Sequence, residues 1–146
     1  MADINIDAAA INLTRRGMRS MVFVTNVIGY FFFIDGDNDF YYTKTTNGGL
    51  TWATPVAISG ADTMTTYDVW YDQWTPGDTG RNIHIWYFGT IATDDVSYKR
   101  LNTTNDSLSS LITVATLSSA VSSRGSFVSG TKARGLSLIH IYAADE

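Results

Sequence analysis

The sequence feature that most constrains the fold is a nine-residue stretch from Lys44 to Trp52, which reads K-T-T-N-G-G-L-T-W. Two of its side chains, Thr45 and Asn47, can bond backbone groups across a tight turn, as short polar side chains commonly do. Gly49 can adopt a positive φ without the steric penalty that a Cβ imposes. The stretch therefore predicts a β-hairpin, with the Trp52 indole entering the core beneath it.

The register Thr45-x-Asn47-x-Gly49-x-Thr51-Trp52 resembles the Asp box, or BNR repeat, of sialidase-like β-propellers, whose pattern is S/T-x-D/N-x-G-x-T-W/F. The resemblance implies a chain of four-stranded antiparallel blades. It also implies an intact protein that recognises carbohydrate, or that hydrolyses a glycosidic bond as an exo-sialidase. Asp boxes also occur in propellers without hydrolase activity, so a non-catalytic binding or structural module is the competing class. Microbial or phage-borne proteins of this kind are exported or displayed on a particle, so an extracellular or virion-associated location is expected.

Composition supports an all-β globular chain of 146 residues. Hydrophobic residues make up 45% and charged residues 16%, which argues against disorder. The chain is rich in residues that favour strands, namely Tyr, Phe, Trp, Thr and Val. It lacks long runs of Leu, Glu, Lys and Ala at helical spacing. A β-sandwich with one accidental box match is the alternative fold, because sandwiches share the same turn rhythm.

Charge and cysteine content exclude several function classes. The formal net charge of −4 and the pI near 4.9 disfavour nucleic acid, because phosphate contacts need clustered Lys and Arg. Without cysteine, the chain can build neither a disulfide framework nor a thiolate metal site. No apolar run approaches the roughly 20 residues that span a bilayer, and no cofactor is predicted.

Strand and turn signals divide the chain into repeated units. Residues 1–17 form a lead-in with alternating apolar residues, 18–60 a first blade containing the 45–52 hairpin, and 61–118 a second blade. Residues 119–135 would begin a third. The segment Asp39-Phe-Tyr-Tyr matches Asp95-Val-Ser-Tyr98, 56 positions later, and Thr103-x-Asn105-x-Ser107 stands where a second box would fall. That second stretch is interpreted as a decayed box, or else as an unrelated polar loop.

Candidate catalytic residues follow from the resemblance. In sialidases an Arg-Ile-Pro motif supplies one of the arginines that hold the substrate carboxylate, and the matching place here reads Arg19-Ser20-Met21. Asp35, Asp37 or Asp39 could occupy the region of the acid/base aspartate. The family's tyrosine and glutamate pair lies in later blades, and the only glutamate here is Glu146, so no complete glycosidase site is expected. The alternative for Arg19 is an ion pair at the surface or at an interface between blades.

The spacing Asp35-x-Asp37-x-Asp39 also has the opening rhythm of a calcium loop. The remainder of that pattern fails, because Phe40 replaces the required glycine and Thr46 the bidentate glutamate. A solvated turn between strands is the better interpretation, and no metal is predicted.

A candidate carbohydrate-binding row lies in the predicted strand Tyr67–Trp74. Period-two alternation puts two carboxylates and two indoles on one face, which suits the C–H faces and hydroxyls of a sugar. The row consists of Asp68, Trp70, Asp72 and Trp74. Packing of the indoles between blades, with the aspartates capping turns, is the equal alternative.

His84 alternates with Ile83 and Ile85 on an aromatic strand. A structural role is predicted for His84, because the sequence offers no nucleophile elbow of the G-x-S-x-G kind. Trp86 and Tyr87, on the same strand, are predicted to be core residues.

Residues 136–146 differ abruptly in composition from the preceding segment. The letters L-S-L-I-H-I resemble the conceptual translation of a transposase-type sequencing adapter, so this tail is treated as non-native and left out of fold reasoning. On that interpretation the chain is a piece of a longer reading frame.

Two blades and part of a third cannot close a ring, so open strand edges and uncovered blade faces are expected. We expect the 146-residue chain, expressed alone, to be marginally stable or to aggregate. Size-exclusion chromatography and thermal unfolding measure this. A sharp, reversible transition of a monomer would contradict truncation.

Overall fold

The computed structural model describes residues 17–59, 64–89, 94–117, 127–133 and 136–142, with Asp94, Leu117, Phe127 and residues 136–142 described by their backbone alone. Every regular element in this part of the chain is a β-strand, apart from one 3₁₀ turn. The all-β prediction is confirmed. Within the same ranges, no helix has the length and apolar character needed to cross a membrane.

The first sheet contains four antiparallel strands that follow one another in chain order. This single up-and-down sheet over residues 18–59 agrees with the sequence prediction. Alternation along the second strand sends Tyr30, Phe32 and Ile34 into the core. The strands are β1 (Met21–Phe23), β2 (Gly29–Ile34), β3 (Phe40–Thr45) and β4 (Val56–Ser59).

The second sheet contains five strands where four were predicted. The additional strand is the two-residue strand Ser107–Leu108, which pairs with the third strand of the sheet, as the following strand Ile112–Leu117 also does. The predicted strand Tyr67–Trp74 begins earlier and ends at Tyr71, because Asp72–Trp74 forms the 3₁₀ turn. The strands are β5 (Met64–Tyr71), β6 (Asn82–Gly89), β7 (Asp94–Asn102), β8 (Ser107–Leu108) and β9 (Ile112–Leu117).

A third, two-stranded sheet consists of β10 (Phe127–Ala133) and β11 (Leu136–Tyr142). They pair antiparallel from Phe127↔Tyr142 to Ala133↔Leu136. The strand β11 falls in the tail that sequence reasoning set aside, and the adapter origin of that tail stays a prediction. The lead-in predicted at residues 1–17 lies outside the described residues, apart from Gly17.

The two larger sheets share an irregularity that supports an internal repeat. The pairing of β3 with β4 shifts register between Phe40 and Tyr41, and the pairing of β7 with β9 shifts between Val96 and Ser97. These bulges are 56 positions apart, the same offset as the sequence match between Asp39 and Asp95. A bulge bends its strand and changes its twist, so an equivalent bulge gives the two sheets a similar outer edge.

The three sheets stack face to face in chain order. Alternate residues of the second sheet point to opposite faces, so one face packs against the first sheet and the other against β10. On β5 and β6, Tyr67, Val69, Tyr71, Ile83, Ile85 and Tyr87 pack against the first sheet in one buried cluster. Trp86 and Phe88 face the other way and pack with Val128 of β10 in a second cluster. The predicted burial of Trp86 and Tyr87 is confirmed, with 0% and 3% exposure.

The turn within Lys44–Trp52 has the predicted hydrogen bonds. The Thr45 hydroxyl accepts the Gly49 N–H at 2.9 Å, and Asn47 Oδ1 accepts the Thr51 N–H at 2.9 Å. Gly49 has φ +91°, as expected, and Gly48 also adopts a positive φ of +71°.

The predicted burial of Trp52 in the core is wrong. The indole is half-buried and meets Phe31 edge-on, with ring centroids 6.3 Å apart. Phe31 alternates with Tyr30 and Phe32, so its ring lies on the face of the sheet that points away from the core. Trp52 therefore shields the outer face of the hairpin.

The second turn, around Asn105, matches the first only in part. Asp106 has φ +58° at the position equivalent to Gly48. Asn105 Oδ1, however, accepts the N–H and the hydroxyl of Ser107, whereas Asn47 reaches the residue four positions on. The two turns share a left-handed residue but use different side-chain bonds.

We expect Asn47→Ala to lower the free energy of unfolding by about 1 kcal/mol, because it removes two bonds to Thr51, from Asn47 Nδ2 at 2.8 Å and to Asn47 Oδ1 at 2.9 Å. Thr46→Ala, at an exposed neighbouring position, is the matched control. Urea unfolding measures both variants, and equal midpoints would show that this side chain does not stabilise the turn.

Candidate functional site

Asp68 is a fully buried carboxylate between the second sheet and β10, with 0% exposure. Arg19 holds it with a bidentate ion pair, in which Nε donates to Oδ1 at 2.9 Å and Nη2 donates to Oδ2. The N–H groups of Val69 and Gly130 also donate to this carboxylate, each at 2.9 Å. A buried charge needs such partners, because moving a carboxylate out of water without an ion-pair or hydrogen-bond partner costs a large free energy.

Arg19 connects three sheets through this one carboxylate. It lies just before β1, Asp68 lies on β5, and the Arg19 guanidinium also donates to the Gly130 carbonyl on β10 at 2.6 Å. The first strands of three successive sheets therefore converge at one ion pair. This is the ion-pair alternative considered for Arg19.

Gly130 allows β10 to approach the second sheet closely. A Cβ built at this position would lie 2.1 Å from the Trp86 ring, so a larger residue would displace the strand. The Trp86 Nε1 group is buried and has no hydrogen-bond partner among the described residues.

A second buried carboxylate, Asp72, lies in the 3₁₀ turn after β5. Its Oδ2 accepts the backbone and side-chain N–H groups of Asn82 at 2.8 and 3.0 Å. Its Oδ1 accepts His84 Nε2 at 2.7 Å and also Lys132 Nζ of β10. Burial opposes ionisation of Asp72, but these hydrogen bonds outweigh burial and lower its pKa to about 2.

His84 is held between Asp72 and Tyr98. Since the Asp72 carboxylate only accepts, the neutral imidazole carries its proton on Nε2, and Nδ1 accepts the Tyr98 hydroxyl at 2.6 Å. Burial lowers the pKa of His84, and the positive charges of Lys132 and Arg100 lower it further against the attraction of Asp72. The ring is 4% exposed and lies between internal partners, as the predicted structural role requires.

Two indoles continue this face toward solvent. The Arg19 guanidinium carbon lies 4.7 Å from the Trp70 ring centroid, and Trp70 Nε1 donates to the Thr75 hydroxyl at 3.0 Å. Trp74 meets Trp70 edge-on at 5.7 Å and is 37% exposed. Of the four residues in the candidate sugar-binding row, Trp74 is therefore the most accessible, while both carboxylates are bound inside.

Asp35, Asp37 and Asp39 lie in the turn between β2 and β3. Asp35 Oδ1 accepts the N–H groups of Asp37 and Asp39 at 3.0 and 2.9 Å, so this carboxylate closes its own turn. The partners shown for Arg19 are Asp68, Gly130 and Trp70. The assignment of these aspartates to catalysis stays a prediction.

The site contains charged groups that mostly neutralise one another. Asp68 pairs with Arg19, and Lys132 bridges Asp72 and Asp78, at 2.9 Å from the latter. Among the residues that the structure describes, no three His, Asp or Glu side chains form a group that could hold a metal ion. Chemically, the arrangement fixes strands and presents aromatic surface; it does not present a free carboxylate pair for acid–base chemistry.

Sequence reasoning did not find Tyr98, Gly130 or Lys132. Gly130 and Lys132 occupy alternate positions of β10, as Asp68 and Trp70 do on β5, so alternation places each pair on one face. That pattern was visible in the sequence, but it does not say which strand the face of β10 meets.

A scan against protein-family models gave no match, and neither did searches of curated proteins and of solved structures.

Removing the cation from Asp68 should be strongly destabilising. We expect Arg19→Met to lower the free energy of unfolding by about 3 kcal/mol, because a buried carboxylate loses its charge partner. Arg81→Met changes an exposed arginine and should stay within about 0.5 kcal/mol of wild type. Urea unfolding compares them, and equal losses in the two variants would contradict the role assigned to Arg19.

Proposed function

We propose that the chain forms two neighbouring blades and the first strand of a third in a sialidase-like β-propeller, and that the intact protein recognises carbohydrate without hydrolysing it. Three observations support the propeller. The first four strands form an up-and-down sheet, successive sheets stack in chain order, and the bulges recur at a 56-residue offset. Convergence of β1, β5 and β10 at Arg19 is consistent with inner strands around a central axis.

One observation favours recognition over hydrolysis: the guanidinium of Arg19 is already bound to Asp68. An arginine that is to hold a substrate carboxylate must keep its bidentate edge available. Here Nε and Nη2 both donate to Asp68, which is 0% exposed. The two site carboxylates are likewise occupied by internal donors, so neither is placed as a general acid.

Carbohydrate is the ligand class that the exposed part of the site fits best. Trp74 presents indole surface to solvent, and Gln73 and Arg81 are exposed nearby in sequence. An aromatic ring can stack on the C–H face of a sugar, while amide and guanidinium groups donate to its hydroxyls. A non-catalytic structural module is the alternative, and it requires no ligand at Trp74.

We expect Trp74→Ala to weaken binding of an oligosaccharide ligand at least about tenfold, the equivalent of about 1.4 kcal/mol, with the far-UV circular dichroism spectrum of the folded chain retained. Ligands would be found by tryptophan fluorescence on a panel of neutral and sialylated oligosaccharides. Trp52→Ala, on the first sheet, is the matched control and should bind as wild type does. Absence of binding to the whole panel would favour the structural module.

Hydrolysis is tested separately with a fluorogenic sialoside. The wild-type chain should release no fluorophore above buffer, because Arg19 is occupied and the site, as far as the structure describes it, presents no free acid–base pair. Release that scales with protein concentration would overturn the non-catalytic proposal and leave the sialidase alternative.

A further inference from the structure

The strand β10 is fastened to the second sheet by a cluster around Lys132. Lys132 Nζ binds Asp72 Oδ1 and, at 2.9 Å, Asp78 Oδ2, while the Lys132 carbonyl accepts the Thr75 hydroxyl at 2.7 Å. The Lys132 side chain is 15% exposed and that of Asp72 is 1% exposed. The contact therefore replaces water with protein partners on both sides.

His84 binds the same oxygen of Asp72 that Lys132 uses. Both His84 Nε2 and Lys132 Nζ reach Oδ1, because the other oxygen is filled by the two N–H groups of Asn82. One carboxylate oxygen thus holds two nitrogen donors from different strands. While His84 is neutral, Lys132 is the cation at this oxygen, and its charge is shared between Asp72 and Asp78.

Protonation of His84 would disturb this cluster in two ways. It would place a second cation beside Lys132, in a region where Arg100 of β7 also contributes positive potential. It would also put a hydrogen on Nδ1, facing the Tyr98 hydroxyl that now donates to it, so the hydroxyl must become the acceptor and rotate its own hydrogen away. The carboxylates of Asp72 and Asp78 favour the added charge, but Lys132 already occupies both.

The geometry points to an acid-sensitive latch, in which protonation of His84 releases β10 from the second sheet and uncovers the Trp86 face. Among the side chains that the structure describes, Val128 is the β10 residue buried in the apolar cluster beneath the latch, with Trp86, Phe88 and Val96. Further along β10, Gly130 bonds Asp68 and Arg19, and Lys132 bonds Asp72, Asp78 and Thr75, so polar contacts hold the strand beyond Val128.

The direction of the pH dependence follows from linkage. Burial lowers the pKa of His84 in the closed state below its ordinary value of 6.5, so the open state binds the proton more tightly. The closed state is therefore fully stable above about pH 6.5 and loses stability as the pH falls below that value. The pKa of Asp72 is lowered to about 2 from 3.8, so its own contribution is lost only below about pH 4, in a separate window.

Hydrogen exchange of the Gly130 amide, which donates to Asp68 at 2.9 Å, reports opening of β10. After correction for the intrinsic exchange rate, we expect the opening equilibrium of the whole chain to rise between pH 7 and pH 5, by at most tenfold per pH unit for one proton. His84→Gln keeps a donor for Asp72 but cannot titrate, so opening should be independent of pH over this range.

A second variant separates the latch from a general loss of stability. In Lys132→Met the competing cation is gone, so protonated His84 pairs with Asp72 and acidification to pH 5 should no longer increase opening. Amides of β2 and β3, in the first sheet, serve as an internal reference and should not respond in wild type. Equal pH dependence of Gly130 exchange in wild type and His84→Gln would overturn the proposal, whether or not the Lys132 variant folds.

Discussion

The bidentate ion pair between Arg19 and Asp68 is the interaction on which the arrangement of the sheets depends. Apolar faces would allow neighbouring sheets to slide or rotate slightly, because dispersion and the hydrophobic effect have little directionality. A buried carboxylate with 0% exposure does not allow this, since each of its oxygens must keep its donors. While β10 is docked, these bonds therefore fix Arg19, Asp68 and Gly130 relative to one another, and with them the three strands that begin successive sheets.

Because each buried carboxylate must keep its hydrogen-bond donors, the site around Asp68 and Asp72 is poorly suited to acid–base catalysis. A carboxyl that acts as a general acid or base needs a pKa near the working pH. Burial raises the pKa of a carboxyl toward that range when few hydrogen bonds stabilise its charged form. Asp72 is buried but receives four donors, which stabilise its charged form and lower its pKa to about 2. At neutral pH it is a permanent anion that organises His84 and Lys132. The network resembles a reactive constellation in its residue types, and its hydrogen bonding gives it a structural role.

Local rules predicted much of the fold, and non-local contacts account for what they missed. The turn at Thr45 to Thr51 is specified by residues within a few positions of one another, and alternation on β5 and β6 correctly separates Tyr67 and Val69 from Asp68 and Trp70. The partners of Asp68 on other sheets lie 49 and 62 positions away, a separation at which spacing carries no information.

The position of Trp52 was predicted wrongly for a related reason. The sequence shows that an indole follows the turn, but not which face of the sheet has room for it. The strand through Asp72 to Trp74 was extended too far because polar and aromatic residues continue to alternate there, while the backbone has already turned to bring Asp72 to Asn82 and His84.

The two faces of the second sheet differ in how they are held, and this sets the order in which the molecule should come apart. Among the side chains that the structure describes, the cluster shared with the first sheet contains fifteen buried residues and the cluster under β10 contains four. Hydrophobic burial contributes roughly in proportion to area, so the first interface is the stronger and responds little to pH or salt. The second interface relies on Arg19, Asp68, Asp72 and Lys132, whose contribution depends on charge state and geometry. Since an ion-paired contact is lost when one partner changes charge, β10 is the element that can separate while the two large sheets remain packed.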